Sequence, residues 1–160
     1  MKTLFALSFL LPLLACGQAC PEGRLSYYEF SYSGTMAWPI TYYRVELDEE
    51  SGQLTLGWSR SEPEITLIRV GPEVLSHIDA LVKEYRLYRL KDRYLPPVRI
   101  LDGHQWSVYF RYEQDSISSH GSNAWPSGRL REGMDAVNDY LKGLIDAATE
   151  DDVIGRKSLR

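Results

Sequence analysis

Residues 105–112, with the sequence QWSVYFRY, carry the strongest strand signal in the chain. Large apolar side chains occupy every second position of this stretch, namely Trp106, Val108, Phe110 and Tyr112. Ser107, Tyr109 and Arg111 fall between them. A period of two is typical of a β-strand that buries one face. The stretch therefore predicts a sheet whose aromatic face packs against a core.

The residues that follow this strand predict a hairpin and then a helix. EQDS at 113–116 is typical of a turn, and SISSHG at 116–121 predicts a shorter, polar edge strand. After Trp125 and Pro126, Ser127 is placed to cap a final helix. That helix has an apolar stripe at spacings of four and three, formed by Leu130, Met134, Val137, Leu141 and Leu144.

A second amphipathic helix is predicted upstream of residue 105. It starts at Gly71-Pro72-Glu73, because proline in a first helical turn loses no hydrogen bond. Its apolar stripe comprises Val74, Ile78, Leu81, Tyr85 and Tyr88. We expect it to end near residues 91–94, ahead of the Pro96-Pro97 pair.

Four strands are predicted before the first helix, within residues 25–34, 40–48, 54–58 and 64–70. The links between them are short, which favours antiparallel pairing. The predicted fold class is therefore α+β, with the order β-β-β-β-α-β-β-α. We expect a mostly antiparallel sheet with both amphipathic helices packed on one face.

The chain opens with MKTLFALSFLLPLLAC, in which Lys2 is the only charged residue. The apolar stretch from Leu4 to Ala15 is shorter than the roughly 20 residues that span a bilayer. A basic residue, a short apolar segment and small residues near a cleavage point are typical of a secretory signal. Residues 1–15 are therefore predicted to be a cleaved signal peptide.

The end of this leader, Leu13-Leu14-Ala15-Cys16, resembles the lipobox of bacterial lipoproteins. The resemblance implies that the Cys16 thiol carries a diacylglycerol, that Cys16 becomes the first residue, and that acyl chains such as palmitate anchor it. Residues 16–24 would be a lipidated tether. Gly17 stands where enterobacterial sorting reads Asp, which implies that passage to an outer membrane is permitted. We expect a cell-membrane or outer-membrane location, facing the periplasm or exterior.

The chain contains two cysteines, and the second is Cys20. If Cys16 is lipidated, Cys20 is left as an odd thiol. The alternative is ordinary signal-peptidase cleavage, with a short disulfide between Cys16 and Cys20. Two cysteines without a nearby histidine supply half of a tetrahedral zinc site, so no metal site is predicted.

Composition excludes several function classes. The 160-residue chain has a net charge of −4 and no basic cluster, which argues against nucleic-acid binding. The nucleotide motifs GxGxxG and GxxxxGK[ST] and the nucleophile elbow GxSxG are absent from the sequence. We therefore predict no cofactor, no catalytic residue and a protein that is not an enzyme. Residues 25–148 suit one globular domain, followed by a flexible tail over 149–160.

The segment SISSHGSNAWP at 116–126 supplies the candidate ligand-binding residues, His120, Ser122, Asn123 and Trp125. Hydrogen-bonding groups beside an aromatic plate suit small polar ligands. Alternatively, Gly121 and Asn123 shape a turn and Trp125 seals the core. The run from Gly121 to Pro126 resembles a hairpin end in small uncharacterised bacterial domains, Gly-Ser-Asn-Ala-aromatic-Pro before a helix. That resemblance implies no known activity.

Tyr27, Tyr42 and Tyr109 fall opposite the predicted core face of their strands. They form either a patch for glycan rings or a partner protein, or cross-strand pairs. We expect a membrane-anchored envelope lipoprotein that acts as a non-enzymatic binding or interaction module. The alternatives are an envelope hydrolase, whose pocket would gather groups such as His104, His120 and Glu113, and an inhibitor or assembly factor of envelope enzymes.

Overall fold

The computed structural model describes residues 19–34, 41–48, 51–60, 63–98, 100 and 103–158. The predicted signal peptide and the predicted lipobox, including Cys16, lie outside these residues. Within the described residues, no helix is both long enough and apolar enough to cross a membrane.

Eight strands within the described residues form one sheet, in the spatial order β5-β7-β6-β1-β2-β3-β4-β8. The strands are β1 (Leu25–Ser33), β2 (Thr41–Leu47), β3 (Leu54–Ser59), β4 (Glu64–Arg69), β5 (Arg93–Tyr94), β6 (Gln105–Tyr112), β7 (Ser116–Ser122) and β8 (Val153–Ser158). Neighbouring strands are antiparallel except β5 and β7, which are parallel. The two main helices are α1 (Glu73–Tyr85) and α2 (Arg129–Ala147). The α+β class is confirmed, with two more strands than expected.

One face of the sheet and both helices share the main core. The alternation in β6 is confirmed, since Trp106, Val108, Phe110 and Tyr112 are all buried. The helices contribute their buried stripes, which are Val74, Ile78 and Val82 in α1 and Met134, Val137 and Leu141 in α2. Two tyrosines of the sheet also hydrogen-bond the helices. The Tyr28 hydroxyl donates to Asn138 of α2, and the Tyr112 hydroxyl donates to Asp79 of α1.

Two predicted helix boundaries need correction, namely the end of α1 and the start of α2. α1 ends at Tyr85, not near residues 91–94, because Arg86 adopts a left-handed conformation with φ 58°. Leu87 then enters the core within a 3-10 turn at 87–89. At the other helix, Gly128 with φ 56° occupies the N-cap of α2 instead of Ser127, and no side chain caps it.

The predicted flexible tail is also corrected, because residues 153–158 form β8 and cover the edge of β4. A short 3-10 turn over 150–152 redirects the chain after α2. In that turn the Asp152 carboxylate accepts hydrogen bonds from the backbone and hydroxyl of Thr149. At the opposite edge, β7 is not the terminal strand, since Arg93 and Tyr94 pair with His120 and Gly121.

Candidate ligand cleft

A cleft of about 320 Å³ opens between α2 and the ends of β1 and β2. Its aromatic lining consists of Phe30, Tyr32, Tyr43 and Trp125. Its polar lining consists of Thr41 from β2 and of Arg131, Asp135, Asn138, Asp139 and Lys142 from α2. An aromatic wall facing a few polar groups is the usual composition of a small-molecule site, and the volume lies at the small end of the usual range.

The polar lining comes from one side of α2. Residues 131, 135, 138 and 142 are separated by four, three and four positions, so they lie along one line of the helix. This line runs beside the buried stripe of Met134, Val137 and Leu141. Packing that stripe on the sheet therefore brings the neighbouring polar residues to the edge of the interface, over the ends of β1 and β2.

The floor of the cleft is a cross-strand aromatic pair. Phe30 of β1 lies opposite Tyr43 of β2, and their rings are stacked with centroids 6.4 Å apart. Both side chains are only 4% exposed. Burial raises the pKa of the Tyr43 hydroxyl, so this residue stays neutral around pH 7. The floor is thus buried, aromatic and uncharged.

Trp125 forms the end wall and is held on several sides. Its ring is stacked on Trp106, with centroids 5.0 Å apart and an interplanar angle of 10°. Its Nε1 donates to His104 Nε2 at 2.9 Å. The Arg131 guanidinium lies 3.8 Å from the ring centroid, within reach of a cation–π interaction. The wall is therefore pre-organised by stacking, a hydrogen bond and a cation.

The charges at the cleft are mostly satisfied by neighbours. Arg131 Nε lies 2.8 Å from Asp135 Oδ2. Lys142 forms an ion pair with Asp146, and its hydrogen bond lowers the pKa of the Asp146 carboxyl. Asp139 differs, because its carboxylate has no hydrogen bond or ion pair with any residue in the described part of the chain.

The structure does not gather the four predicted ligand residues into one place. Trp125 lines the cleft, but His120 does not. His120 is exposed, accepts a hydrogen bond from Arg93 Nε, and pairs with Ser107. Its neighbour Gly121 pairs with the buried Trp106, so strand alternation places His120 on the opposite face of the sheet. Ser122 and Asn123 line a separate hollow of about 320 Å³ with residues 95–98 and Ile100.

Asn123 has a structural role in this fold. It adopts a positive φ of 51°, and its Oδ1 accepts a hydrogen bond from the His104 backbone N–H at 3.0 Å. Its own N–H donates to the His104 carbonyl at 2.9 Å. These contacts match the turn-forming interpretation of the segment. The ligand-binding roles of His120, Ser122 and Asn123 stay predictions.

The three tyrosines opposite the core face form a packed network. Tyr27 and Tyr109 contact edge to face, with centroids 5.9 Å apart. Tyr42 is 4% exposed, and its hydroxyl donates to Glu29 while accepting from Arg44. Burial raises the pKa of both Tyr27 and Tyr42. Tyr27 and Tyr109 therefore pack against each other across two strands, which is the second of the two interpretations of these tyrosines.

The groups expected in a hydrolase pocket are dispersed. His104 and Glu113 flank the two ends of β6, which is eight residues long, and His120 lies on the other sheet face. In the described residues, no three His, Cys, Asp or Glu side chains are grouped as a metal site. Cys20 is an exposed free cysteine.

The cleft residues of α2 escaped the sequence interpretation, which followed only the apolar stripe of that helix. Asn138 within the helix, flanked by charged residues at helical spacing, was the available signal. No protein-family model matches this chain, and no curated protein is significantly similar to it. The case for its function therefore rests on the geometry of the cleft.

Proposed function

We propose that this chain is a lipid-anchored module of the bacterial cell envelope that binds a small ligand in the α2 cleft without catalysing a reaction. The observation that carries the proposal is the combination of an aromatic wall and a polar helix face around one concave volume of about 320 Å³. The ligand would be a soluble compound or the exposed end of an envelope glycan or protein. The anchor would be the lipidated Cys16.

Pre-organisation of the cleft supports a binding role. The Tyr28 hydroxyl donates to Asn138 Oδ1 at 2.9 Å, which holds this amide at the cleft. Trp125 and Arg131 are fixed by the contacts described above. A ligand entering such a site orders few side chains, and the entropic cost of binding is correspondingly small.

The position of the tether supports a cleft that faces away from the membrane. The described chain starts at residue 19 beside the turn between β6 and β7, where Ala19 and Pro21 lie near Asp115. β1 then runs from Leu25 to the cleft residue Tyr32, a distance of roughly 20 Å at about 3.3 Å per residue. A lipid at Cys16 would hold the domain by the end opposite the cleft, leaving the cleft open to solutes.

The anchor is tested by metabolic labelling with radioactive palmitate in a bacterial host. The wild-type chain and Cys20→Ser should be labelled and should fractionate with membranes. Cys16→Ser should be unlabelled and should keep the leader. Palmitate in the Cys16→Ser protein, or none in the wild type, would reject lipidation at this residue.

Binding is tested on the full chain in a non-ionic detergent, by NMR titration with monosaccharides, amino acids, amines and short peptides. Ligands should shift resonances of Thr41 and of residues 131–142. Tyr32→Ala should weaken those shifts, because Tyr32 lines the cleft. The matched Tyr109→Ala variant removes a tyrosine from the opposite face and should leave them unchanged. Shifts that map elsewhere, or none with any compound, would reject the cleft as a binding site.

A further inference from the structure

We propose that the ligand of the α2 cleft carries a small organic cation, an amine or quaternary ammonium group, which Asp139 and the aromatic wall hold. This inference rests on the proposed binding function and specifies its ligand class. It follows from the charges left over at the cleft, from the aromatic rings that line it and from its size.

The charge balance of the cleft leaves one acid unmatched. Arg131 is paired with Asp135 and covers Trp125, so its charge is used within the protein. Lys142 is the other cation at the cleft, and it is paired with Asp146. Asp139 alone among the four charged lining residues has no ionic or hydrogen-bonded partner in the described chain. Asp139 is exposed at the mouth of the cleft, so an incoming positive charge meets a solvated carboxylate that has no ionic partner in the described chain.

The charged neighbours of Asp139 on α2 make the binding of a cation to its carboxylate more favourable. Asp135 lies four residues earlier on the same helix side, and like charges at this spacing repel each other. Lys142 is three residues later and within reach of Asp139 by spacing. It is drawn instead to Asp146, which Arg60 also contacts at 3.7 Å. Lys142, the nearest cation by spacing, therefore pairs with Asp146 and not with Asp139.

The aromatic lining suits a cation better than an anion. Ring faces carry a negative quadrupole that attracts ammonium and guanidinium groups. This cluster already holds one such group, since the Arg131 guanidinium lies 3.8 Å from the Trp125 ring centroid. Tyr32 offers a further, partly exposed ring, and Phe30 and Tyr43, each 4% exposed, offer a small part of their surface at the floor. Rings and a carboxylate together are the features by which proteins recognise ammonium ligands.

The volume sets the size of the bound group. A cleft of about 320 Å³ corresponds to roughly ten water molecules at about 30 Å³ each. It accommodates a trimethylammonium or primary amine group with a short chain. A longer molecule would place only its cationic end there.

The test measures binding of choline, of its carbon isostere with a quaternary carbon in place of nitrogen, and of acetate. Isothermal titration and NMR are performed on the full chain in a maltoside detergent, which lacks choline. Choline should bind with shifts at residues 131–142, and the isostere should bind about tenfold or more weakly because it lacks the charge. Acetate should not bind.

Two substitutions assign the effect to Asp139. Asp139→Asn should weaken choline binding about tenfold without lowering the melting temperature, because the side chain has no described partner to lose. Asp151→Asn, an exposed acid outside the cleft with the same change in net charge, should leave affinity unchanged. Asp146→Asn should also weaken choline binding, because it frees Lys142 to neutralise Asp139.

The outcomes separate this inference from the proposed function. Equal binding of choline and its isostere, tighter binding of acetate, or full affinity in Asp139→Asn overturns the cation assignment. If neutral or anionic compounds then shift the cleft resonances, the cleft remains a binding site for another ligand class. If none of the tested compounds shifts them, both the inference and the proposed function fail.

Discussion

Gly133 of α2 lies directly against Tyr85 of α1, so closely that a Cβ added to the glycine would be 2.4 Å from the Tyr85 Cβ. It would also lie 2.9 Å from a methyl group of Leu87, which is fully buried. The two helices therefore meet at a point where no side chain fits. This contact fixes how closely α2 approaches α1, next to the cleft between α2 and the sheet.

The helix contact predicts that glycine-to-alanine substitutions at two positions of α2 have opposite effects on fold stability. Gly133→Ala should destabilise the fold by about 1–3 kcal/mol, because the added methyl group must displace Tyr85 or Leu87. Gly143→Ala should stabilise it by about 0.5–1 kcal/mol, since a Cβ there meets no atom within 4 Å and alanine favours helix. Urea unfolding monitored by circular dichroism measures both. A neutral Gly133→Ala variant would show that the helices are not in close contact.

The turn at Asn123 predicts a graded loss of stability. Asn123→Ala loses the hydrogen bond to the His104 N–H. The alanine must still adopt φ 51°, without the hydrogen bond that stabilises this conformation in the wild type. The expected cost is about 1–3 kcal/mol. Asn123→Gly loses the same hydrogen bond but tolerates the positive φ, so it should cost less. Thermal melts of the two variants give the comparison. Equal, negligible losses would contradict the structural role of this side chain.

The buried hydroxyl of Tyr42 predicts a loss of stability at alkaline pH. Burial, with the nearby Glu29 carboxylate, raises the pKa of Tyr42 above its ordinary value of 10.0. A group whose pKa is higher in the folded state stabilises the fold below the unfolded pKa, and this contribution is lost as the pH rises beyond it. The free energy of unfolding should therefore fall above about pH 10.

Tyr42→Phe provides the check on this titration. It should cost about 1 kcal/mol at neutral pH, because the hydrogen bonds with Glu29 and Arg44 are lost. It should also reduce the decline in stability between about pH 10 and 12, measured by urea unfolding at each pH. A variant with the same alkaline slope as the wild type would show that Tyr42 does not contribute to it.

The pairing of β8 with β4 predicts that the C-terminal residues stabilise the sheet. Removing residues 153–160 exposes the β4 edge and the backbone groups that pair with β8. The truncated chain should be less stable by about 1–3 kcal/mol and more prone to aggregate. Hydrogen exchange should become faster at the β4 amides that pair with β8, and light scattering reports association. Unchanged exchange in β4 would indicate that β8 does not pair stably in solution.

Local sequence patterns predicted most helices and strands of the fold. Each of these elements buries one face, so its apolar residues recur with the period of a helix or a strand. The alternation in QWSVYFRY defines β6, and the stripes of α1 and α2 define helices that must cover a sheet. β8 was missed for a physical reason. VIGRKS has no buried alternate face, since Val153 and Ile154 are 42% and 39% exposed, and it becomes a strand by pairing with β4. The end of α1 likewise depends on burial of Leu87, which residues elsewhere in the chain provide.

The candidate site was less predictable than the fold. Trp125 was identified as an aromatic plate next to polar groups, and it does line the cleft. Its partners there are Tyr32, more than 90 positions earlier in the chain, and Arg131 on α2. The closeness of His120 and Trp125 in the sequence predicts one shared site, but strand alternation places His120 on the other face of the sheet.

By itself, the sequence determined the α+β class and the buried faces of the strands and helices, because these depend on periodicity and short local patterns. The tertiary structure decided where α2 crosses β1 and β2, and therefore which polar side chains face Phe30 and Tyr43. It also decided which charges are neutralised, leaving Asp139 without a partner among the described residues. The contacts of α2 with β1 and β2 join residues distant in the chain, and only packing brings them together, whereas the Arg131–Asp135 and Lys142–Asp146 ion pairs each lie within one helix.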